Sequence, residues 1–263
     1  MKMQLGVFVL LLMASIVMQQ YLGFELLDTI LTLGAVYVIV FWLFNFFKKR
    51  ALETRMHPET YIKMSRLKAA YARNGSKWET EAKLESATGF LDLGRADEAA
   101  GEIENISPRL EYQAPSVQHL YKIVTGMIAL FENRLPDAER ALKRSTLDSQ
   151  IHEPQKREVA FARALLYLTM RDKTRAEEQV ARLNNPKNNR EQIKRLYVLG
   201  WLLLLKGDRE KAAQAMDPIL AHARELWIAD EAAVLKEAAL SGKEYIPWRT
   251  VRRDREQKKR TSE

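Results

Sequence analysis

The four histidines are the side chains of this sequence best suited to metal binding or acid–base catalysis, and they are scattered along the chain. They are His57, His119, His152 and His222. His222 and Glu225 have a spacing that could place two ligands on one face of a helix, but two ligands do not complete a metal site. Since the chain has no cysteine, disulfides, thiolate metal sites and a cysteine nucleophile are excluded. We expect no metal site here and expect His222 to be a surface histidine.

Sequence motifs of catalysis are also lacking. The chain contains no glycine-rich phosphate loop, no GxSxG and no HExxH. Glu102 and Glu104 alternate along a polar stretch that is typical of a solvated helix rather than of an acid–base pair. We therefore expect a protein that is not an enzyme, with no catalytic residue and no cofactor.

Helices must position whatever functional residues the chain has, because strand patterns are nearly lacking and apolar residues recur at helical spacing. The clearest case is 196–220, LYVLGWLLLLKGDREKAAQAMDPIL. There, Gly207 accepts the left-handed backbone that commonly ends a helix, and Asp208 can cap the next helix. Gly200 and Ala212 are small where the two helices would have to approach closely. This stretch predicts a helical hairpin.

The pattern of this hairpin occurs four times. A small residue is followed by a turn residue seven positions later, an alanine five after that, and a larger apolar residue four after the alanine. The small residues are Ala87, Gly126, Ala164 and Gly200, the turn residues are Gly94, Asn133, Arg171 and Gly207, and the alanines are Ala99, Ala138, Ala176 and Ala212. This pattern resembles the tetratricopeptide (TPR) repeat. The resemblance implies an all-α, TPR-like solenoid over 78–240, closed by a last helix at 226–240. A plain antiparallel bundle is the alternative.

Two apolar stretches precede the repeats. Residues 3–22 hold about 14 uninterrupted apolar residues, and 29–47 form a 19-residue run without a charge. At 1.5 Å per residue, the second run spans roughly 28 Å, about the hydrocarbon thickness of a bilayer. We predict two transmembrane helices within 3–47, arranged as a hairpin. A secretory signal peptide is the alternative for the first stretch, and a buried helix of a soluble domain for the second.

The distribution of charge predicts the orientation. The net charge is +8, and residues 48–78 carry nine Lys or Arg against two acids. Because basic residues beside membrane spans stay cytoplasmic, we expect a multi-pass protein of the cell membrane with its C-terminal domain in the cytoplasm. Residues 48–77 would form a basic juxtamembrane helix that lies on the membrane or caps the first repeat. Residues 241–263 would form a basic, disordered tail. Contact of these basic flanks with anionic lipid is an option, whereas nucleic-acid binding is disfavoured.

The resemblance also implies a concave groove lined by the first helix of each hairpin. Transferred by position, the candidate protein-binding residues are Ile123, Met127, Phe161, Leu165, Lys194, Tyr197 and Trp201. They are mostly apolar, with Lys194 as the one candidate cation, so we expect an apolar peptide or helix rather than a carboxylate as ligand. The alternative is that these side chains are core.

These patterns give two hypotheses for the function. In the first, the protein is a membrane-anchored, TPR-like adaptor or scaffold that binds a protein partner on the cytosolic face. In the second, it is a structural subunit of a membrane complex or homo-oligomer without an exchangeable ligand.

Overall fold

The structure of this protein is a computed structural model that describes residues 26–104, 106–143, 152–223 and 225–248. Within these ranges the chain forms eleven α-helices, one 3₁₀ helix and no strand, so the prediction of an all-α protein is confirmed. The helices are α1 Leu26–Glu53, α2 Pro58–Tyr71, α3 Lys77–Asp92, α4 Ala96–Ile103, α5 Pro115–Phe131, α6 Leu135–Leu142, α7 Glu153–Thr169, α8 Lys173–Arg182, α9 Asn189–Lys206, α10 Arg209–His222 and α11 Trp227–Ser241, with the 3₁₀ helix Ser107–Tyr112 between α4 and α5.

Four helical hairpins, α3–α4, α5–α6, α7–α8 and α9–α10, share one turn geometry. Their turn residues have positive φ angles: Gly94 74°, Asn133 60°, Arg171 58° and Gly207 91°. In each turn the next residue donates its N–H to a carbonyl five residues back, as Arg95 does to Phe90 at 2.8 Å and Asp208 to Leu203 at 3.0 Å. This bond is the mark of a Schellman motif, which satisfies a carbonyl at the helix end and reverses the chain. The turns therefore lie where the sequence predicts them.

The small residues of the repeated pattern let the two helices of a hairpin approach each other. The alanines Ala99, Ala138, Ala176 and Ala212 are all fully buried. A Cβ atom on Gly126 would lie 2.5 Å from Leu142 Cγ, and one on Gly200 would meet Met216. Leu142 and Met216 are the larger apolar residues that end the pattern. The repeated spacing thus describes real packing within each hairpin.

Consecutive hairpins pack through their first helices. α3 packs on α5, α5 on α7, α7 on α9, and α9 on α11, while α4, α6, α8 and α10 each pack on the helix that follows. α2 packs along α3 and covers the start of the stack. One connected set of buried apolar residues runs from Met56 to Trp248 through these helices.

Helix α1 is mostly uncovered. It is the one helix in the described part of the chain that is long and apolar enough to cross a membrane, with a mean hydropathy of 1.7 over Leu31–Glu53. Its last turns pack on the stack, where Ala51 and Leu52 are buried, and Phe41 stacks on Trp78 at the start of α3. The predicted first membrane segment, 3–22, lies outside the described residues.

The chain stays packed on the domain for several residues after α11, whereas the sequence predicts a disordered tail from residue 241. Gly242 has a φ of 76° and ends α11. Residues 243–248, called the C-terminal strap below, then run back over the helices, where Tyr245 and Trp248 are buried. The prediction failed here because two aromatic side chains give a short segment enough apolar surface to pack. Residues 249–263 lie outside the described residues.

The contact between Gly126 and Leu142 makes a test of the hairpin packing. We expect Gly126→Ala to lower the free energy of unfolding by about 1–3 kcal/mol, because the new methyl group overpacks the interface. Gly101→Ala is the matched control, since no atom lies within 4 Å of a Cβ at that exposed position of α4. Alanine there should raise stability by about 0.5–1 kcal/mol through its helix propensity. Urea unfolding of the full chain in detergent, followed by circular dichroism, compares them. Equal stability of the two variants would contradict the predicted contact.

Candidate functional site

The seven predicted groove residues lie on one face of the stack, on α5, α7 and α9, but they are not open to solvent. Each is at most 6% exposed. Ile123, Met127, Phe161 and Lys194 surround a cavity of about 30 Å³, which has room for about one water molecule. Leu165 is fully buried. We call this surface the inner face. In this structure the inner face is covered by other parts of the same chain.

The C-terminal strap covers the inner face at Tyr197 and Trp201. Trp248 is fully buried, and its ring lies 5.3 Å from that of Trp227 and 6.0 Å from that of Trp201. Tyr245 meets Trp201 edge to face, with ring centroids 5.1 Å apart. Aromatic pairs at such distances stabilise a contact beyond their buried area. The side chains that the sequence identifies as interface anchors are thus already engaged, within the same chain.

Hydrogen bonds to a buried carboxylate fix the strap. Tyr245 Oη donates to Glu231 Oε2 at 2.5 Å, and the N–H of Trp248 donates to the same oxygen at 3.1 Å. Tyr197 Oη lies 2.7 Å from Tyr245 Oη. Burial, followed by the nearby Glu231 carboxylate, raises the pKa of Tyr197 well above its ordinary value, and burial likewise raises the pKa of Tyr245. Both phenols therefore stay protonated and remain available as donors at neutral pH.

The strap also has two unfavourable features at its end. Trp248 has a φ of 62°, a conformation that is rare for large residues. Its indole Nε1 is buried, and no hydrogen-bond partner for it occurs among the described residues. Backbone strain and a buried polar atom without a partner each cost about 1–3 kcal/mol. These costs offset part of the stabilisation that the aromatic packing provides.

A buried ionic cluster closes the inner face at the level of Lys194. It joins Asp92 of α3, Glu158 of α7, and Arg190 and Lys194 of α9. Arg190 binds both oxygens of Asp92, at 2.6 Å and 3.0 Å, although the two residues are 98 positions apart. Arg190 also donates to Glu158 at 2.5 Å, and Lys194 donates to Glu158 at 2.7 Å. The first and fourth hairpins are thereby bound directly to each other.

The electrostatics of the ionic cluster favour the charged forms. Burial alone would raise the pKa of Glu158, but the ion pairs with Arg190 and Lys194 outweigh it and lower this pKa to about 2. Burial alone would lower the pKa of Arg190, and the Asp92 and Glu158 carboxylates raise it instead. Lys194, the candidate cation of the predicted groove, is already paired with Asp92 and Glu158 of the same chain and lies 4.9 Å from the centre of the Phe161 ring.

A larger cavity of about 380 Å³ lies between the end of α1 and the ionic cluster. Its lining includes Lys48, Tyr61, Glu85, Gln155 and Arg190. Lys48 Nζ binds Glu85 at 2.6 Å, and Asn189 Nδ2 donates to the carbonyl of Thr54 at 3.1 Å. α1 therefore closes this end of the inner face, as the strap closes the other.

The histidines give no sign of a metal site in the described ranges, where no three of the His, Asp and Glu residues are grouped to hold an ion. Glu225, which the sequence pairs with His222, instead binds His57 Nδ1 at 2.6 Å. This contact brings the loop before α2 next to the loop before α11.

Sequence reasoning missed the cover of the inner face. Tyr245, Ile246 and Trp248 are three apolar or aromatic residues directly before the basic run 249–260, and that contrast is a signal that could have identified the strap. Asp92, Glu158, Arg190 and Glu231 have no comparable signal, because each is one charged residue on a helix with many charges. Comparison of the chain with protein-family models, with curated proteins and with solved structures finds no match.

The ionic cluster predicts a large loss of stability when one partner is removed. We expect Arg190→Ala to lower the free energy of unfolding by about 3–5 kcal/mol, because Asp92 and Glu158 would stay buried without the guanidinium that binds both. Arg140→Ala is the matched control, since the Arg140 side chain is 82% exposed and forms only a 3.7 Å surface pair with Asp137. That change should stay within about 0.5 kcal/mol of the original chain. Chemical unfolding measures the free energy of unfolding of both variants. Similar losses of stability in the two would contradict the role of the cluster.

The lowered pKa of Glu158 predicts a dependence of stability on pH. The carboxylate has a pKa of about 2 in the folded chain against 4.5 as a reference. The folded state thus binds this proton less readily than the unfolded state, so the stabilisation is present above pH 4.5 and is lost as the pH falls towards 2. We expect this group to contribute about 3 kcal/mol of that loss. Thermal unfolding between these pH values should show a smaller decline in melting temperature for Glu158→Gln than for the original chain. An unchanged decline would assign the acid sensitivity to other carboxylates.

Proposed function

We propose that this protein is a membrane-anchored scaffold, in which a TPR-like solenoid binds a protein partner on the cytosolic side of the membrane and performs no catalysis. The observation that carries this proposal is the combination of an exposed apolar helix, α1, with a stack of hairpins fixed to its end. The anchor determines where the domain acts, and the stack provides the protein-binding surface.

Helix α1 is the proposed anchor because its exposed side chains are those of a membrane span. Trp42, Phe46 and Phe47 are exposed next to Lys48, Lys49 and Arg50. Aromatic residues followed by basic ones are typical of the cytoplasmic end of a span. Residues 3–22 would supply the second helix of a membrane hairpin, so the protein would be multi-pass with its large domain in the cytoplasm.

The four equivalent hairpins support the TPR-like part of the proposal. They repeat the same turn geometry, the same buried alanine and the same packing of first helix on first helix. A plain antiparallel bundle would not need one spacing to recur in every hairpin. In proteins built from such stacks, the face formed by the first helices is a common binding surface.

A partner would have to reach an inner face that the strap covers. We propose that an aromatic segment of the partner takes the place of Tyr245 and Trp248 against Tyr197 and Trp201. The strained backbone and the buried indole N–H of Trp248 weaken the strap in a way that favours exchange. A protein whose binding site is open only part of the time binds its ligand more weakly by that fraction, so the strap would tune the affinity.

The structural subunit remains the second candidate, and one observation favours it. The predicted contact residues are already buried by the chain's own strap and by the ionic cluster. In this case the inner face is permanently core, and the protein would contact its complex through other surfaces.

Photo-crosslinking in intact membranes separates the two candidates. A benzoylphenylalanine replaces Leu204, which lines a cleft of about 350 Å³ between α9 and the strap, together with Trp201 and Tyr245. The same group in place of Glu177, on the exposed side of α8, is the control. A scaffold gives one dominant adduct with another protein at position 204 and not at position 177. Adducts only within the chain, or with a second copy of it, favour the structural subunit.

Weakening the strap should raise capture of the partner. We expect Trp248→Ala to increase the yield of the adduct at position 204 several-fold, because loss of a buried tryptophan costs the strap about 3–5 kcal/mol of packing. Lys243→Ala is the matched control within the strap, since its side chain is exposed. An unchanged yield in a folded Trp248→Ala protein would contradict exchange of the strap.

A further inference from the structure

Helices α1 and α3 lie side by side and run in the same direction. The Phe41 and Trp78 rings stack with their centroids 5.7 Å apart, and seven residues further along each helix Lys48 binds Glu85 at 2.6 Å. Seven residues correspond to about 10 Å of helix. Two contacts in the same register show that the first turn of α3 lies level with Phe41 and not with the end of α1.

The exposed apolar surface of α1 continues beyond Phe41, towards the domain. Trp42, Phe46 and Phe47 are all more than 40% exposed. Covering this surface with lipid brings the edge of the hydrocarbon close to Phe47. Trp78 is level with a residue six positions earlier, about 9 Å along α1 from Phe47, so the start of α3 reaches the level of this exposed apolar surface. Amphipathic elements at a membrane surface are buried to a depth of about 5–10 Å.

The turn between α2 and α3 has the composition of a membrane-surface element. Trp78 is 52% exposed and Tyr71 is 43% exposed, although both are large aromatic residues. Arg73 and Lys77 are exposed as well, and Lys77 has only a 3.7 Å pair with Glu81 on the same helix. Tryptophan and tyrosine favour the level of the lipid headgroups, and basic side chains near an anionic surface each gain about 1 kcal/mol.

We infer that the α2–α3 turn, residues 71–78, is a second membrane contact, in which Trp78 and Tyr71 enter the interface of the bilayer and the long side chains of Arg73 and Lys77 extend back to anionic lipid headgroups. This inference rests on the proposed anchor, because it needs α1 in the bilayer. It adds that the domain lies against the membrane in one orientation and is not held at a distance by a free helix end.

Site-directed spin labelling tests the inference, and the cysteine-free sequence makes single labels straightforward. Three variants of the full chain, Val38→Cys, Lys77→Cys and Lys211→Cys, are labelled with a nitroxide. Each is reconstituted in phosphatidylcholine vesicles that contain phosphatidylglycerol. All three side chains are exposed, on α1, at the turn and on the remote α10 respectively. The measured quantity is the ratio of nitroxide collision with oxygen, which enters lipid, to collision with a water-soluble nickel chelate.

The label at 38 reports on the anchor, and the label at 77 reports on the turn. We expect the collision ratio to be highest for the label at 38. At 77 it should be several-fold above the value of a label that is fully in water, and at 211 it should equal that water value. A high ratio at 38 with the water value at 77 would overturn the inference and leave the anchor standing. The water value at 38 would overturn both. Low collision with both reagents at 77 would mean that protein, from residues 1–25 or a second copy, covers the turn, and would also overturn the inference.

Discussion

The bidentate ion pair between Asp92 and Arg190 is the constraint on which the inner face depends. Two ions taken out of water cost several kcal/mol each, and their attraction compensates only when the geometry is good and every oxygen and N–H is bound. Glu158 and Lys194 complete that requirement, because they give a cluster of two cations and two anions. The first and fourth hairpins can therefore not separate without leaving charges buried and unpaired. The stack is held by an interaction between its first and fourth hairpins as well as by contacts between neighbours.

Closure of the inner face uses two different kinds of interaction at its two ends. Towards α1, it relies on ion pairs and a hydrogen bond to the Thr54 carbonyl. Towards the C-terminus, it relies on aromatic packing of Tyr245 and Trp248 around the buried Glu231 carboxylate. Ion pairs resist removal of one partner, whereas a short peptide segment can leave as a unit. Opening the end near α1 thus requires the separation of ion pairs, whereas opening the C-terminal end requires the release of one aromatic segment.

The sequence predicts the hairpins well and the contact between the first and fourth hairpins poorly, for a physical reason. Gly94 and Gly207 indicate turns because glycine readily adopts the positive φ that these turns need, and the buried alanines recur at a fixed number of residues after the turns. These are local signals. The pairing of Asp92 with Arg190 joins residues 98 positions apart, and no local pattern records so distant a contact. Helical periodicity likewise identifies the face that holds Tyr197 and Trp201 but cannot say whether a partner or the chain's own strap covers it.

The long separation of the ionic cluster along the chain has a consequence for synthesis on the ribosome. Asp92 is made 98 residues before Arg190, which at about 5–20 residues per second is a delay of about 5–20 s. Throughout that time the first hairpin lacks the guanidinium that pairs with Asp92. The early hairpins would therefore stay incomplete during this delay, and the chain would acquire its closed stack only when α9 emerges.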